Sequence, residues 1–394
     1  MTTVLIVGAG WYGCHAAMVL DKLGIDYDMV DNSNGFMVES STKNQNRLHL
    51  GFHYPRAYRT RHECIHGYTE FCQAYPESTI EVPKNLYLVA KDSLIDFQTY
   101  ANIFAYEKTP FDIIQSSERA GMPFPWLEDR FDGFMLTRER LIDNDRAARM
   151  FESKLRARLV KDYKPSDLVV TANSVSCKGK EYALAIDCTY GQLLPQENTF
   201  FELSCTWLYT LQGRAPAEAT TTDLFAFTVM DGPFYSIYPY KPDERLFTLT
   251  HVAHTPLMTS DSIDEIRRHQ YTDVPEHLIQ EHRRKTEADV RISIPKFDDY
   301  FSYHGHFLSV KTKSRQRADD RSMTVQSTQN VISFCGGKIT GIFAMERYLM
   351  RLIPREGSLL AKKLRSCARQ DVDVDGADDD IAKRGVIKGR DQDR

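Results

Sequence analysis

At 394 residues, with 42% hydrophobic and 26% charged side chains and a formal net charge of −4, the chain has a globular composition and room for two lobes. The small net charge argues against a protein built around nucleic-acid phosphates, and no apolar run approaches the roughly 18 residues that span a membrane. Its eight cysteines show no Cys-x-x-Cys pair and no metal-like spacing with histidine, so reduced thiols, a cytoplasmic setting and no metal site are expected.

The first apolar run, Val4-Leu5-Ile6-Val7, leads at once into Gly8-Ala9-Gly10-Trp11-Tyr12-Gly13, which leaves no room for a leader peptide. A helix is predicted over 14–23, and the next apolar run, 27–30, ends at Asp31. This is a strand, a Gly-x-Gly-x-x-Gly turn, a helix, a strand and a terminal acid. Gly8 permits the tight turn, Gly10 lets backbone approach a pyrophosphate, and Gly13 lets the helix pack on the strand. The helix N-terminus offers free N–H groups to phosphates, and Asp31 is placed to accept from a ribose diol. The pattern predicts dinucleotide binding.

A polar stretch, 39–46, precedes Arg47-Leu48-His49-Leu50-Gly51-Phe52-His53-Tyr54-Pro55-Arg56. So many cations and imidazoles are costly to bury without a ligand. They either bind a substrate carboxylate or phosphate or form a solvated loop. A helix is predicted over 59–75, a strand over 85–90, helices over 94–107 and 141–159, and strands over 168–171 and 182–186. Long strands over 203–211, 224–230, 234–239 and 246–251 then predict an antiparallel sheet, with Tyr235 and Tyr238 on opposite faces. Charged helices fill 261–287. Lys311, Lys313, Arg315, Arg317 and Arg321 make a basic strip, which is either a solvated face or a set with one or two members turned into a pocket. A short strand, 331–334, enters Cys335-Gly336-Gly337-Lys338-Ile339-Thr340-Gly341, followed by a helix over 342–352. The glycines either face a ligand with their N–H groups or make a turn that needs positive φ. The stretch 369–394 has almost nothing to bury and is expected to be disordered.

Taken together, several stretches resemble the D-amino-acid oxidase and glycine oxidase family of FAD enzymes, with its sarcosine-oxidase and glycerol-phosphate-dehydrogenase relatives. They are the N-terminal fingerprint, Ser40-Ser41-Thr42-x-Asn44, the helix after Arg140, Ala185-Ile186-Asp187-Cys188-Thr189-Tyr190-Gly191 and the Phe334–Gly341 loop, within a resemblance spanning 3–352. There are departures. Asp31 stands where Glu is commoner, and the family's arginine–proline step is replaced by Val310-Lys311-Thr312-Lys313-Ser314-Arg315-Gln316-Arg317, leaving Lys313 or Arg315 as carboxylate anchors.

The resemblance implies an α/β fold with an interrupted Rossmann-like FAD-binding lobe, drawn from 1–80, 130–200 and 320–355. A substrate lobe with an antiparallel sheet, from 81–129 and 201–319, completes it. It implies FAD contacts at Gly8, Gly10, Tyr12, Gly13, Asp31, Ser41, Thr42, Gly336, Gly337, Lys338, Ile339 and Thr340. Lys338 is expected near the flavin N1–C2 edge and Thr340 as a hydroxyl donor. Arg47, His49, His53, Tyr235 and Arg315 are the expected catalytic set, with a histidine as a further option for covalent flavin attachment. The implied reaction is oxidation of a C–N bond in an amino acid or N-substituted glycine, by hydride transfer to flavin N5 and hydrolysis of the imine. The basic residues extend the substrate options to a glycine carried on thymidine, on a nucleotide or on DNA. Dehydrogenation of a hydroxy acid or sugar alcohol and a non-redox flavin mutase remain as alternatives.

Overall fold

Val4–Val7 is buried throughout, as a central parallel strand must be. It pairs in parallel with Tyr27–Val30 on one side and Leu184–Asp187 on the other, in the register Val7↔Val30 and Val7↔Asp187. Val331–Cys335 adds a fourth parallel strand beside Leu184–Asp187, and Thr324–Thr328 closes that edge antiparallel. The sheet thus collects strands from three separated stretches of chain. This computed structural model describes residues 4–352 apart from 34, 116–120, 172–173, 196, 213–223, 231, 233, 271–273, 316–318 and 329. Arg317 and the tail beyond 369 lie outside the described residues.

The helices Trp11–Lys22, Asn144–Leu155 and Gly341–Leu352 cover this sheet over a core that includes Trp11, Leu20, Phe151, Phe334 and Phe343. A larger sheet forms the second lobe. The 13-residue strand Thr199–Leu211 pairs along one edge with Phe301–Ser314, and along the other with Leu246–His251 and Pro256–Ser260. Tyr235–Lys241, Phe225–Met230, Lys84–Ala90 and Phe131–Thr137 follow in order. Phe225–Met230 runs parallel to Lys84–Ala90, so the sheet is mixed. An aromatic core with Phe124, Trp126, Phe225, Phe227 and Phe247 packs beneath it, against the helix Glu276–Ser293.

Several expectations change. The predicted helix over 141–159 is a strand, Arg140–Ile142, followed by the helix Asn144–Leu155, because Asp143 caps that helix by accepting from Arg146 N–H. Phe131–Thr137 joins the large sheet, although the sequence groups 130–200 with the nucleotide lobe. The strand over 182–186 divides into Lys180–Tyr182, part of a small hairpin, and Leu184–Asp187. No helix among the described residues is long and apolar enough to cross a membrane.

Candidate active site

The fingerprint folds as its spacing requires. Gly8 has φ 104°, and a side chain there would begin 2.7 Å from the Cys188 carbonyl oxygen. Gly10 has an ordinary φ of −79°, so its reason for being glycine is space: a Cβ would stand 2.6 Å from Ser41 Oγ. A Gly13 Cβ would fall 1.8 Å from the Gly8 carbonyl oxygen. The Trp11–Lys22 helix has no side-chain cap at Gly10, and of its first-turn N–H groups that of Trp11 donates to Ser41 Oγ, which leaves the next ones for a phosphate.

A cavity of about 540 Å³ opens over the carboxyl ends of these strands, lined by Gly8, Gly10, Asp31, Ser41, Tyr163 and Tyr190 among others. Asp31 Oδ2 accepts from Ala9 N–H and Oδ1 from Ser33 N–H, both at 2.8 Å, which holds the carboxylate at the cavity rim. Oδ1 also accepts from Ser33 Oγ, so it is Oδ2 that keeps a further lone pair for a ribose hydroxyl. Ser41 is fixed from behind. Its Oγ accepts from Trp11 N–H at 3.1 Å, and its carbonyl accepts from Asn144 Nδ2 at 2.9 Å. Asn144 also accepts from Trp11 Nε1 and donates to Asn46 Oδ1, both at 2.7 Å. These residues fit a dinucleotide. Thr42 stands apart, its hydroxyl donating to the Glu39 carbonyl at 3.3 Å within its own turn.

The C-terminal glycines have a different reason from positive φ, which none of Gly336, Gly337 and Gly341 adopts. A Cβ at Gly336 would meet Tyr12 Oη at 1.9 Å, and one at Gly341 would meet it at 2.1 Å. Tyr12 Oη donates to the Lys338 carbonyl at 2.9 Å, so Tyr12 braces the loop. Thr340 is buried against Gly67 and Cys64 of the Tyr58–Ala74 helix. Ile339 packs on the core of the parallel sheet. Lys338 Nζ lies 4.6 Å from the Tyr54 ring centroid.

His49 and His53 meet edge to face, with centroids 4.8 Å apart. Burial pushes both pKa values well below the usual imidazole value, helped by Lys338 and Arg47 at His49 and by Arg47 at His53. Two residues that sequence reasoning missed organise them. Glu139 is buried, accepts from Leu50 N–H at 2.8 Å through Oε1, and lies 3.5 Å from His49 Nδ1. Tyr87 Oη donates to Glu139 Oε2 at 2.7 Å and lies 2.8 Å from His53 Nδ1. Neither had a sequence signal, since a lone Glu between two arginines and a Tyr in an apolar strand look ordinary.

Three expected catalytic residues are placed differently. The Arg47 side chain is 1% exposed and committed to the protein. Its Nη1 donates to Tyr87 Oη at 2.7 Å, and its Nη2 to Thr228 Oγ1 at 3.0 Å and Ser236 Oγ at 2.6 Å, with the guanidinium carbon 3.9 Å over the Tyr238 ring. Tyr235 faces the other side of its strand and packs with Phe227, Ile279 and Val290, so Tyr238 is the tyrosine that faces Arg47. Arg315 is 56% exposed and pairs with Asp261 at 2.6 Å.

Folding also brings carboxylates to histidine pairs: Glu139 to His49 and His53, and Asp289 to His251 and His254, with ligand atoms in each set within 4.8 Å of one another. The sequence alone offers none to complete a metal site. Neither set suits a cation. Arg47 and Lys338 oppose it at the first. At the second, Ala253 N–H donates to His251 Nδ1 at 3.1 Å, which puts the ring proton on Nε2, 3.1 Å from Asp289.

Comparisons agree with this geometry, although no protein-family model matches the chain. It is 32% identical over 353 residues to the FAD-dependent monooxygenase FPY4 of Fusarium mangiferae, covering 89% of this chain and 91% of that protein. To the FAD-dependent monooxygenase kojA of Aspergillus flavus it is 23% identical over 369 residues, covering 88% and 85%. Among solved structures, NikD, an unusual amino acid oxidase essential for nikkomycin biosynthesis, superposes with a TM-score of 0.67 at 11% identity over 95% of this chain and 96% of its own. Glycine oxidase from Geobacillus kaustophilus gives 0.62 at 10% identity over 95% and 97%. The FAD-bound L-α-glycerophosphate oxidase of Mycoplasma pneumoniae gives 0.63 at 15% identity over 89% and 94%. The fold is that of the FAD-dependent amino acid oxidases, and the chain belongs to the family of FAD-dependent oxidoreductases that includes FPY4, with FAD as its cofactor.

Proposed function

We propose that the enzyme oxidises the C–N bond of a small anionic amine, an amino acid or N-substituted glycine, to an imine that water then hydrolyses. The observation that carries this reading is the edge-to-face pair of half-buried imidazoles, His49 and His53, whose pKa values desolvation lowers, beside the cation Lys338. An amine must lose its extra proton before its α-hydrogen can leave as hydride. A neutral imidazole can accept that proton, and a water-poor pocket favours the neutral amine. Bound FAD supplies the two-electron acceptor. Lys338 would orient the substrate carboxylate, with Lys311, which burial brings down to about 8, as a second cation. The glycine loop would hold the flavin, and Ser41 and the Trp11–Lys22 helix its pyrophosphate. A glycine carried on a nucleotide or DNA draws less support, because Arg56, Lys313 and Arg315 already face Asp319, Glu202 and Asp261.

The same imidazoles favour one second reading, oxidation of a hydroxy acid or sugar alcohol, in which the hydroxyl proton leaves to a base as the hydride departs. The test is anaerobic mixing of the yellow holoenzyme with glycine, sarcosine, D-amino acids, N-glycinyl nucleosides, hydroxy acids and glycerol phosphate. Bleaching by amines alone supports the proposal, and bleaching by alcohols alone replaces it. The monooxygenase names of the relatives add an arm: NADPH consumption coupled to a hydroxylated product would displace both readings.

A further inference from the structure

We propose that Glu139 and Tyr87 form a hydrogen-bond relay that fixes His53 with its proton on Nδ1, so that Nε2 presents a lone pair as the proton acceptor of the site. The donors and acceptors around Tyr87 decide where the protons lie. Tyr87 Oη has one proton and two lone pairs, and it has three close partners: Arg47 Nη1 at 2.7 Å, Glu139 Oε2 at 2.7 Å and His53 Nδ1 at 2.8 Å. Arginine only donates, which takes one lone pair. Glu139, with the Arg47 guanidinium 3.5 Å away and Leu50 N–H donating to its other oxygen, is an ionised carboxylate and only accepts. The phenol proton therefore goes to Glu139. The remaining lone pair can be filled only by an N–H from His53 Nδ1. In a neutral ring Nε2 then carries no proton.

The chemistry this allows balances simply. A substrate N–H or O–H proton moves to His53 Nε2 as the substrate's electron pair stays behind, and the resulting imidazolium keeps its Nδ1–H directed at Tyr87. Tyr87 and Glu139 touch no substrate in this scheme. They are positioning residues acting through His53, comparable in logic to the carboxylate that orients the base of a catalytic triad.

The relay has an asymmetric consequence for one near-isosteric variant. In Glu139→Gln the oxygen of the new amide is pinned by Leu50 N–H, so its NH₂ must face Tyr87 and donate to the phenol oxygen. Arg47 and the new amide then fill both lone pairs of Tyr87, and its proton turns to His53 Nδ1. The histidine is forced to carry its proton on Nε2, and the base is disarmed with little change of shape.

The experiment is ¹⁵N NMR of the histidine rings in FAD-loaded enzyme, with His53→Gln assigning the signal. The expected result is an Nδ1–H neutral ring in the wild type, an Nε2–H ring in Glu139→Gln, and loss of the fixed preference in Tyr87→Phe. Flavin content should be unchanged in both variants. An Nε2–H ring in the wild type, or an unchanged tautomer in Glu139→Gln, overturns the relay. This arm needs no substrate, so its failure is distinct from failure of the proposed oxidation, on which only the kinetic arm rests. With a substrate identified, kcat/KM of Glu139→Gln should fall about 10²–10⁴-fold, the range for loss of a general base. A tautomer switch with unaltered kcat/KM would overturn the role of His53 as proton acceptor.

Discussion

Replacing Arg47 by methionine tests whether this arginine serves the substrate or the protein. Methionine fills much of the volume but leaves Glu139 buried without the cation 3.5 Å away and takes a 2.7 Å donor from Tyr87. Thr228 and Ser236 are not orphaned, since their hydroxyls lie 3.0 Å apart and can bond each other. The cost therefore falls on Glu139. Removing one partner of a buried ion pair costs about 3–5 kcal/mol. Unfolding entropy of about 2 cal/mol/K per residue over about 350 residues gives roughly 0.7 kcal/mol/K, so Tm should fall by about 4–7 °C. The assay is thermal unfolding of the holoenzyme followed by circular dichroism, beside steady-state kinetics on whichever substrate bleaches the flavin. A Tm within about 1 °C of wild type together with a KM raised tenfold or more would mean that the guanidinium faces the substrate, and the buried-pair reasoning would be wrong.

Gly10→Val should abolish flavin retention, because the new side chain displaces Ser41 Oγ and fills the approach to the helix N-terminus; a yellow variant with normal flavin content refutes this. Asp31→Ala should weaken FAD about 10–100-fold by removing charge-assisted bonds to the ribose, read by flavin fluorescence on dilution; an unchanged Kd would place the acid outside the ribose site. Since burial lowers the His53 and His49 pKa values, the unfolded chain takes up those protons first, and stability should decline as pH falls below about 6.5, with the acid limb of kcat/KM lying lower still. An acid limb at or above that value would show charged imidazoles. Lys311 should lose its proton near pH 8, so KM for an anionic substrate should rise through that range in wild type and stay flat in Lys311→Met.

What was legible in the sequence is what local geometry dictates. Gly8, Gly10, Gly13 and Asp31 act within one strand–turn–helix–strand unit, and the spacing alone defines it. The alternation of Tyr235 and Tyr238 was equally readable, but not which face meets the site. That is decided by the Glu276–Ser293 helix, which covers the Tyr235 side. Arg47 and Arg315 show the same limit. Each is an arginine in a polar segment, and only packing tells that one is enclosed by Tyr87, Thr228 and Ser236 while the other meets solvent and Asp261. The 14-residue strand Phe301–Ser314 was hidden by Ser302, His304, Gly305 and His306, which lack the apolar alternation of a strand; Ser302, Gly305 and His306 are held there by pairing along Thr199–Leu211, and His304 falls at a register shift. Glu139 was out of reach because its partners Leu50, Tyr87 and His49 are distant in sequence.

The two glycine-rich turns, at opposite ends of the described chain, are one construction. Tyr12 sits in the first turn of the Trp11–Lys22 helix, and its phenol fills the space that side chains at Gly336 and Gly341 would need. Its hydroxyl donates to the Lys338 carbonyl, which fixes the backbone from which the Lys338 ammonium reaches over Tyr54 toward His49. A residue inside the dinucleotide fingerprint therefore sets the backbone that carries the Lys338 ammonium to Tyr54 and His49. The parallel sheet carries the same link, since Val331–Cys335 reaches the fingerprint strand only through Leu184–Asp187. Asp187, buried at the end of that middle strand, accepts from Ser333 Oγ at 2.6 Å and from Thr189 N–H at 2.9 Å, tying the last strand to the turn that contacts Gly8. The Lys338 loop is thus fastened to the fingerprint twice, through the Tyr12 phenol and through the middle strand of the parallel sheet.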